Sequence, residues 1–303
     1  MFADLHLHSC FSDGTWTPEQ LVEQARLHNL DALGLTDHDT VEGCARMSEA
    51  CSKHEIAFAP GVEMTTECDG EELHILGYFI DPTSSDLLDQ LAKFQAARQQ
   101  RVREMVARLN DLGISLHLKV VLELANCHSP GRPHVARALV QQGFCSNNEE
   151  AFERFLKKHR PAWVPKWKVQ TPKGIQLIHQ TGGLAVLAHP GLNKADHLIP
   201  FLVDAGIDGL ECFHPKHSPA MAAHYTAIAK QHGLLITGGS DCHGLNKGKA
   251  TIGTVRLPHE YFQKLADMAR DRKSAPGRHG RENNSDGDLH IANTAIVKQQ
   301  VGK

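Results

Sequence analysis

Short apolar runs alternate with amphipathic segments along most of the chain. Apolar runs bounded by polar turns are typical of buried strands, and the longer amphipathic segments between them favour helices. The predicted strands span residues 2–7, 31–36, 56–62, 73–79, 184–189, 207–213 and 234–239, with a short additional strand at 251–255. Repeated alternation of strand and helix predicts a parallel α/β sheet or barrel.

Several predicted helices begin at a hydroxyl residue that is followed by proline. Thr17-Pro18, Thr171-Pro172 and Ser218-Pro219 have this pattern. The hydroxyl oxygen can accept a hydrogen bond from a free backbone amide, and proline suits the first helical position. Gln20 follows Thr17 by three residues and predicts a capping box at the first of these helices.

The alternation stops between residues 83 and 170, where helical periodicity dominates. One stripe of a long helix is predicted to contain Leu88, Leu91, Phe94, Met105, Leu109 and Leu112, with Gly113 as the C-terminal cap. Further helices are predicted at 133–142 and 148–157. We therefore divide the chain into a first barrel part (1–82), a helical insertion (83–170), a second barrel part (171–273) and a tail (274–303) whose composition predicts disorder.

Composition and charge narrow the class of protein. The 303-residue chain has a net charge of −3, so it is not a polycation that coats nucleic acid. It has no apolar stretch of about 18 residues and no signal-peptide pattern at its start, so we expect no association with a membrane. The eight cysteines form no C-x-x-C pair, and we interpret them as reduced thiols of a cytoplasmic protein. No obligate protein partner is evident from the sequence.

Imidazole and carboxylate side chains follow the ends of nearly every predicted strand. His6 and His8 come first, and their i, i+2 spacing directs both to one face of a strand. The candidate metal ligands are His6, His8, Asp13, His38, Glu63, His74, His189, Asp241 and His243. Active sites of parallel barrels lie at the carboxyl ends of the strands, so we expect these residues to meet there.

The chemistry of these residues indicates a multinuclear metal site. Histidine and carboxylate ligands, without a thiolate cluster, suit zinc, manganese or iron. The candidates are too many for one ion, so we expect two or three divalent ions, with Glu63 able to bridge two of them. A site of this kind activates a water molecule and holds a phosphoryl group from two sides.

The chain resembles the polymerase and histidinol phosphatase (PHP) phosphoesterases. The resemblance rests on motifs that run from residue 4 to residue 243 in that family's order: H-x-H-x4-D, T-D-H-D, G-V-E, H-I-L-G-Y, A-H-P and G-S-D-x-H. It implies a distorted (β/α)7 barrel with a trinuclear metal site, for which manganese is the first choice. The layout is most similar to the TrpH/YciV branch, which inserts a helical subdomain. Members of this branch are described as 3',5'-nucleoside bisphosphate phosphatases and as a 5'-to-3' exoribonuclease of short RNAs and rRNA 5' ends.

The resemblance also implies how the ligands are shared among the ions. It assigns His6, His8, Glu63 and Asp241 to one site, and Glu63, His74, His189 and His243 to a second. Asp13 and His38 would hold the third ion.

Three further residues are candidates for substrate binding and catalysis. Arg132 and His134 lie at the predicted start of a helix, where free amides and the helix dipole favour an anion. The resembling branch uses this segment for a substrate phosphate, although Arg132 could instead be a solvated cap residue. His217 could protonate a leaving oxygen or bind a phosphate. The alternative for His217 is a cap on the helix that begins near Ser218.

Several other residues near these motifs have open interpretations. Glu211 and His214 could orient metal ligands through hydrogen bonds. The segment 154–173 combines lysine and arginine with two tryptophans, which suits either base stacking or a solvated face. Arg98 and Arg101 could face the site or solvent. We expect Cys10, Cys212 and Cys242 to be packing residues.

The sequence therefore predicts a metal-dependent phosphoesterase that acts on nucleotides. It would convert a 3',5'-nucleoside bisphosphate to a 5'-monophosphate and phosphate, trim 5'-phosphorylated short RNA from its 5' end, or do both. A histidinol-phosphatase-like phosphomonoesterase is the nearest alternative. An amidohydrolase would place a lysine at a strand end, and this chain has none there. A non-catalytic PHP binding module ranks last, because every candidate ligand position is filled.

Overall fold

The computed structural model describes residues 1–194, 196–245 and 249–274. Its strands are β1 (Phe2–Leu7), β2 (Ala32–Leu35), β3 (Ala57–Cys68), β4 (Glu71–Tyr78), β5 (Val169–Gln170), β6 (Leu184–Leu187), β7 (Gly209–Phe213), β8 (Leu235–Gly238) and β9 (Leu257–Pro258). Its helices are α1 (Pro18–Leu27), α2 (Cys44–Lys53), α3 (Ser85–Asp111), α4 (Leu118–Ala125), α5 (Arg132–Gln141), α6 (Asn148–Ala151), α7 (Thr171–Gln180), α8 (Pro190–Asn193), α9 (Ile199–Asp204), α10 (Pro219–Gln231) and α11 (His259–Ser274). Apart from Ser274, the tail predicted to be disordered lies outside the described residues.

The strands form one sheet that nearly closes into a barrel. Their order is β8-β7-β6-β4-β3-β2-β1-β9, and β5 pairs with β3. Most neighbours are parallel, but β4 runs antiparallel to both β3 and β6, and β9 runs antiparallel to β1. The segment after β8 approaches β1, where His8 N donates to Cys242 O at 2.9 Å. A Cβ on Gly239 would lie 2.3 Å from His6, so this approach requires glycine. The predicted distorted α/β barrel is confirmed.

The hairpin between β3 and β4 differs from the prediction. We predicted that the third strand ends at residue 62, but β3 continues to Cys68 and turns at Asp69-Gly70. Both turn residues have positive φ, 50° and 78°, as a tight two-residue hairpin requires.

The predicted strand at 251–255 is wrong, because the structure has no strand there and β9 begins at Leu257.

Two of the predicted helix starts are confirmed and one is wrong. Thr17 and Gln20 form the capping box, and Ser218 accepts a hydrogen bond from Met221 N at 3.2 Å. Thr171 does not cap α7, because it is already helical. Its hydroxyl lies 2.9 Å from the hydroxyl of Thr66 on β3.

Helices α3 to α6, with a π-helical turn at Phe152–Leu156, share an apolar cluster of their own. The buried face of α3 includes Leu91, Phe94, Met105 and Leu109, as predicted. Leu88 and Leu112 are exposed, so the predicted stripe is wrong at both ends.

The division of the chain into domains at the predicted boundaries stays a prediction. No helix in the described ranges is long and apolar enough to span a bilayer.

Candidate metal centre

The chain of β1 and the residue that follows it direct His6 and His8 to one side and Leu5 and Leu7 to the other. Both imidazoles are fully buried, with ring centroids 5.1 Å apart. The two leucines lie in separate apolar clusters of the core. The i, i+2 spacing therefore has the consequence that strand geometry predicts.

The carboxylate of Glu63, near the middle of β3, is surrounded by five imidazoles. Oε1 faces two of them and Oε2 faces three. The distances are 2.6 Å to His74 Nδ1 and 3.3 Å to His189 Nε2 from Oε1, and 3.3, 3.2 and 3.1 Å to His6 Nε2, His8 Nε2 and His38 Nδ1 from Oε2. One carboxylate thus faces two sets of histidines, which is the arrangement of a bridging ligand.

The structure brings all the predicted metal ligands together. Three groups have ligand atoms that lie within 4.8 Å of one another, which suits a shared ion. They are His6, His8 and Asp241; His38, Glu63 and His74; and His8, Asp13, His38 and His243. His189 adjoins the second group through its contact with Glu63.

The position of His243 differs from the grouping that the resemblance implied. We expected it beside His74 and His189, but its Nε2 lies 3.2 Å from Oδ1 of Asp13. Its ring also stacks on His8, with centroids 4.1 Å apart. The cause is the closure of the barrel, because the chain after β8 lies against β1. His243 therefore belongs with the Asp13 group.

Unpaired nitrogens in this cluster fit metal coordination. Among the described residues, Nδ1 and Nε2 of His8 and Nδ1 of His38 and of His189 are buried without a hydrogen-bond partner. Two of these nitrogens nonetheless lie close to carboxylate oxygens: His8 Nε2 is 3.2 Å from Glu63 and from Asp241, and His38 Nδ1 is 3.1 Å from Glu63. Buried polar atoms rarely lack partners. Imidazole and carboxylate atoms that converge in this way suit divalent transition metals.

The electrostatics of the cluster keep its carboxylates ionised. Burial alone would raise their pKa values, but the neighbouring imidazoles hold the pKa of Glu63, Asp13 and Asp241 well below the usual range. Burial also opposes protonation of His8, yet Asp241 and Glu63 raise its pKa to about 10. At His38 burial dominates and lowers the pKa, which favours the neutral imidazole that binds metals.

Groups around the ligands fix their orientation. Glu211 Oε1 lies 2.9 Å from His6 Nδ1, so the other nitrogen of His6 turns towards Glu63. Oε2 of Glu211 accepts a 2.8 Å hydrogen bond from the backbone N of His189. Nε2 of His214 lies 3.5 Å from Oδ2 of Asp241. These contacts agree with the orienting roles that we considered for Glu211 and His214.

The sequence analysis missed Glu72, and it gave Asp37 only as part of the T-D-H-D motif. Glu72 Oε1 lies 3.3 Å from Nε2 of His74, and its i, i+2 spacing from His74 on β4 was the available signal. Asp37 accepts hydrogen bonds from the amide and hydroxyl of Ser9 at 2.7 and 2.5 Å. It also accepts a 2.5 Å bond from the hydroxyl of Ser12. Asp37 thus holds the loop that contains Asp13.

The backbone is strained at this edge of the barrel. Asp39, His189 and Asp241 have positive φ values of 51°, 30° and 48°. Residues other than glycine rarely adopt this conformation, and such strain concentrates at functional sites.

Arg132 and His134 lie in the first turn of α5, as predicted. His134 is fully buried, and its Nδ1 accepts a 3.0 Å hydrogen bond from Gly131 N. Burial lowers its pKa to about 4, so the ring is neutral and Nε2 carries the hydrogen. This N–H has no partner among the described residues. Arg132 is half-buried, with its guanidinium 5.8 Å from the centre of the Phe152 ring, and is not a fully solvated cap.

The imidazole of His217 is hydrogen-bonded to two backbone groups. Its Nδ1 donates to Cys212 O at 2.9 Å, and its Nε2 accepts from Gly191 N at 3.2 Å. Both ring nitrogens are therefore bonded within the protein, and the role of His217 in protonating a leaving oxygen or binding a phosphate stays a prediction. His217 holds the chain that follows His189. It does not cap α10, because Ser218 does so.

The remaining candidates separate into surface and core residues. Arg154 and Lys157 form ion pairs with Glu150 and Glu153 on an exposed helical face. Cys212 and Cys242 are buried in apolar clusters, which confirms them as packing residues. Cys10 is half-buried.

Comparisons with known proteins agree with this fold. The family model for the PHP domain matches residues 4–158. The 5'-3' exoribonuclease Rnm of Escherichia coli (strain K12) is 34% identical over 247 residues, which cover 79% of this chain and 84% of that protein. The 3',5'-nucleoside bisphosphate phosphatase of Chromobacterium violaceum is 32% identical over 264 residues, which cover 84% of this chain and 92% of that protein.

A solved structure supports the same assignment. A candidate metal-dependent phosphoesterase of Bifidobacterium adolescentis superposes with a TM-score of 0.82 and 31% identity, covering 88% of this chain and 96% of that one. The fold and these matches define a metal-dependent phosphoesterase. The chain belongs to the PHP domain family.

Proposed function

We propose that this enzyme breaks the bond between phosphorus and the 3' oxygen of a nucleotide that carries a 5' phosphate. With a 3',5'-nucleoside bisphosphate, the products are a nucleoside 5'-monophosphate and phosphate. With a 5'-phosphorylated short RNA or rRNA end, the same cleavage releases one 5'-mononucleotide at a time. The substrates named for the two curated relatives support both reactions.

The observation that carries the proposal is the bridging geometry of Glu63. Its two oxygens face separate sets of histidines, so the nine predicted ligands would hold two or three divalent ions, with manganese as first choice and zinc or iron as alternatives. Such ions supply an activated water and neutralise charge on the phosphoryl oxygens.

The first turn of α5 supplies a second point of recognition. Arg132 carries a fixed positive charge, and the N–H on Nε2 of the neutral His134 ring has no partner among the described residues. Both suit the phosphate that is not cleaved, which explains why a bisphosphate and a 5'-phosphorylated RNA could share one site. The same two residues argue against a histidinol-phosphatase-like enzyme.

We also propose a cytoplasmic enzyme, since the cysteines are free thiols.

The test is incubation of the manganese-loaded protein with adenosine 3',5'-bisphosphate and, separately, with a 5'-phosphorylated short RNA. We expect free phosphate from the first and 5'-mononucleotides from the second. Phosphate release without mononucleotides would restrict the enzyme to the phosphatase reaction. Hydrolysis of histidinol phosphate, without hydrolysis of either nucleotide substrate, would contradict the proposal. A Glu63→Gln variant serves as the inactive control.

A further inference from the structure

A small cleft lies beside the metal centre, between α3 and the segment that follows the π-helical turn. Phe94, Arg98 and Arg101 line it from α3, and Lys166 and Trp167 line it from the segment. The cleft adjoins the ligands directly, because Lys166 Nζ lies 3.4 Å from Nε2 of His74. A substrate bound at the metal centre could therefore extend into this cleft.

Trp167 is an exposed aromatic residue on a firmly held backbone. Its side chain is among the large apolar groups left exposed, at 47%. The preceding Val164 O accepts a 2.8 Å hydrogen bond from Arg101 Nε. Lys166 and Lys168, on either side of Trp167, pair with Glu72 and Glu67 at 2.8 and 2.5 Å.

The indole of Trp167 is also held in place by the ring of Phe94. It packs nearly perpendicular to the buried ring of Phe94, with centroids 4.9 Å apart and an angle of 71° between the planes. An aromatic side chain that is held rigidly and left half open loses little entropy when another ring stacks on it.

The charge of the cleft suits a nucleotide. Arg98, Arg101 and Lys166 contribute three cations, while Asp39 and Glu72 contribute the carboxylates that pair with Arg98 and Lys166. Arg101 is buried and bonds a backbone carbonyl, so the cleft has an excess of positive charge. Aromatic and cationic groups side by side form the usual platform for unpaired nucleotides.

We propose that Trp167 is the stacking platform for the base of the nucleotide whose 3' phosphate ester is cleaved. The inference rests on the proposed function and adds a base-binding subsite to it. Because every base has a stacking face, this subsite accepts any base and favours nucleotides over phosphate esters that lack one.

The test compares Trp167→Ala with Trp163→Ala, a matched control from the same segment whose indole lies near His159. The substrates are adenosine 3',5'-bisphosphate and 1-deoxyribose 3,5-bisphosphate, which has the same phosphates and no base. In Trp167→Ala we expect KM for the nucleotide to rise about tenfold and KM for the base-free compound to stay constant. Trp163→Ala should change neither, and Trp167→Phe should restore most of the nucleotide preference.

A binding measurement gives a second readout. Adenosine 5'-monophosphate should quench the tryptophan fluorescence of the unchanged protein and of Trp163→Phe, but not that of Trp167→Phe. An equal rise of KM for both substrates in Trp167→Ala, or quenching that survives in Trp167→Phe, would overturn the inference. If the unchanged protein hydrolyses no nucleotide, the proposed function fails instead, and the quenching alone decides whether a base stacks on Trp167.

Discussion

The hydroxyl of Ser129 donates a 2.6 Å hydrogen bond to the backbone carbonyl of His38, and so ties the helical region to a predicted metal ligand. Two residues earlier, the thiol of Cys127 donates to the carbonyl of Ser12 at 3.2 Å, next to Asp13. The connection between α4 and α5 therefore holds the two loops that contain Asp13 and His38. The same connection leads directly into Arg132.

Ser129→Ala should weaken binding of one divalent ion while the others stay bound. The variant leaves the carbonyl of His38 without this donor, and loss of such a supporting contact typically lowers metal affinity about ten- to a hundredfold. Manganese titration followed by elemental analysis measures the effect. Ser48→Ala, at an exposed position of α2, is the matched control. An unchanged affinity in Ser129→Ala would show that the two loops hold their positions without the helical region.

Glu63→Gln should reduce the ion content from two or three per chain to one or none. An amide has no net charge and cannot bridge two cations as a carboxylate does. Hydrolysis should fall by more than about a hundredfold, since even supporting contacts contribute about that much. Glu49→Gln is the control, because Glu49 forms an exposed pair with Lys53 on α2. Fewer than one ion in the unchanged protein would contradict a trinuclear site.

Arg132→Ala should lower activity on a bisphosphate more than activity on a phosphomonoester. Loss of a charged hydrogen bond to the second phosphate is expected to lower kcat/KM for adenosine 3',5'-bisphosphate about tenfold to a hundredfold. Turnover of a generic phosphomonoester, which has no second phosphate, should be nearly constant. Arg154→Ala, from an exposed ion pair with Glu150, controls for loss of surface charge. Equal losses on both substrates would remove Arg132 from phosphate recognition.

The convergence of the candidate ligands could be predicted from the sequence, because strand geometry is local. His6 and His8 share a face because side chains alternate along an extended chain. Most of the other candidate ligands follow strand ends, which a barrel brings together. The groups that orient these ligands are harder to predict. Glu211 and His6 are 205 residues apart, and only the tertiary fold shows that their side chains touch.

The hairpin between β3 and β4 and the position of His243 could not be predicted, because the sequence analysis assumed parallel strands. Glu63 lies inside β3 rather than at its end, and His74 lies on the antiparallel strand β4. Asp69-Gly70 was a local signal for this hairpin. The position of His243 follows from how the barrel closes, which depends on the contact between Cys242 and His8 and has no local sequence signal.

Outside the metal centre, α11 is attached to the barrel through Asp208. Arg272 donates to both oxygens of this carboxylate, at 2.5 and 3.1 Å, and also to Gly183 O. His179 Nε2 lies 2.8 Å from Oδ2 of Asp208. Burial alone would raise the pKa of Asp208, but the bonds from His179 and Arg272 hold it below its ordinary value.

Arg272→Ala should therefore destabilise the protein in a pH-dependent way. A carboxyl whose folded pKa is lowered contributes stability above its unfolded pKa of about 3.9, and that contribution is lost as the pH falls through the folded value. Urea unfolding should show a loss of about 1–3 kcal/mol at pH 7 that shrinks towards pH 3. Arg270→Ala removes an exposed pair with Asp267 on the same helix and should cost less than about 0.5 kcal/mol. Equal losses in both variants, or a loss from Arg272→Ala that persists at pH 3, would contradict this role of Asp208.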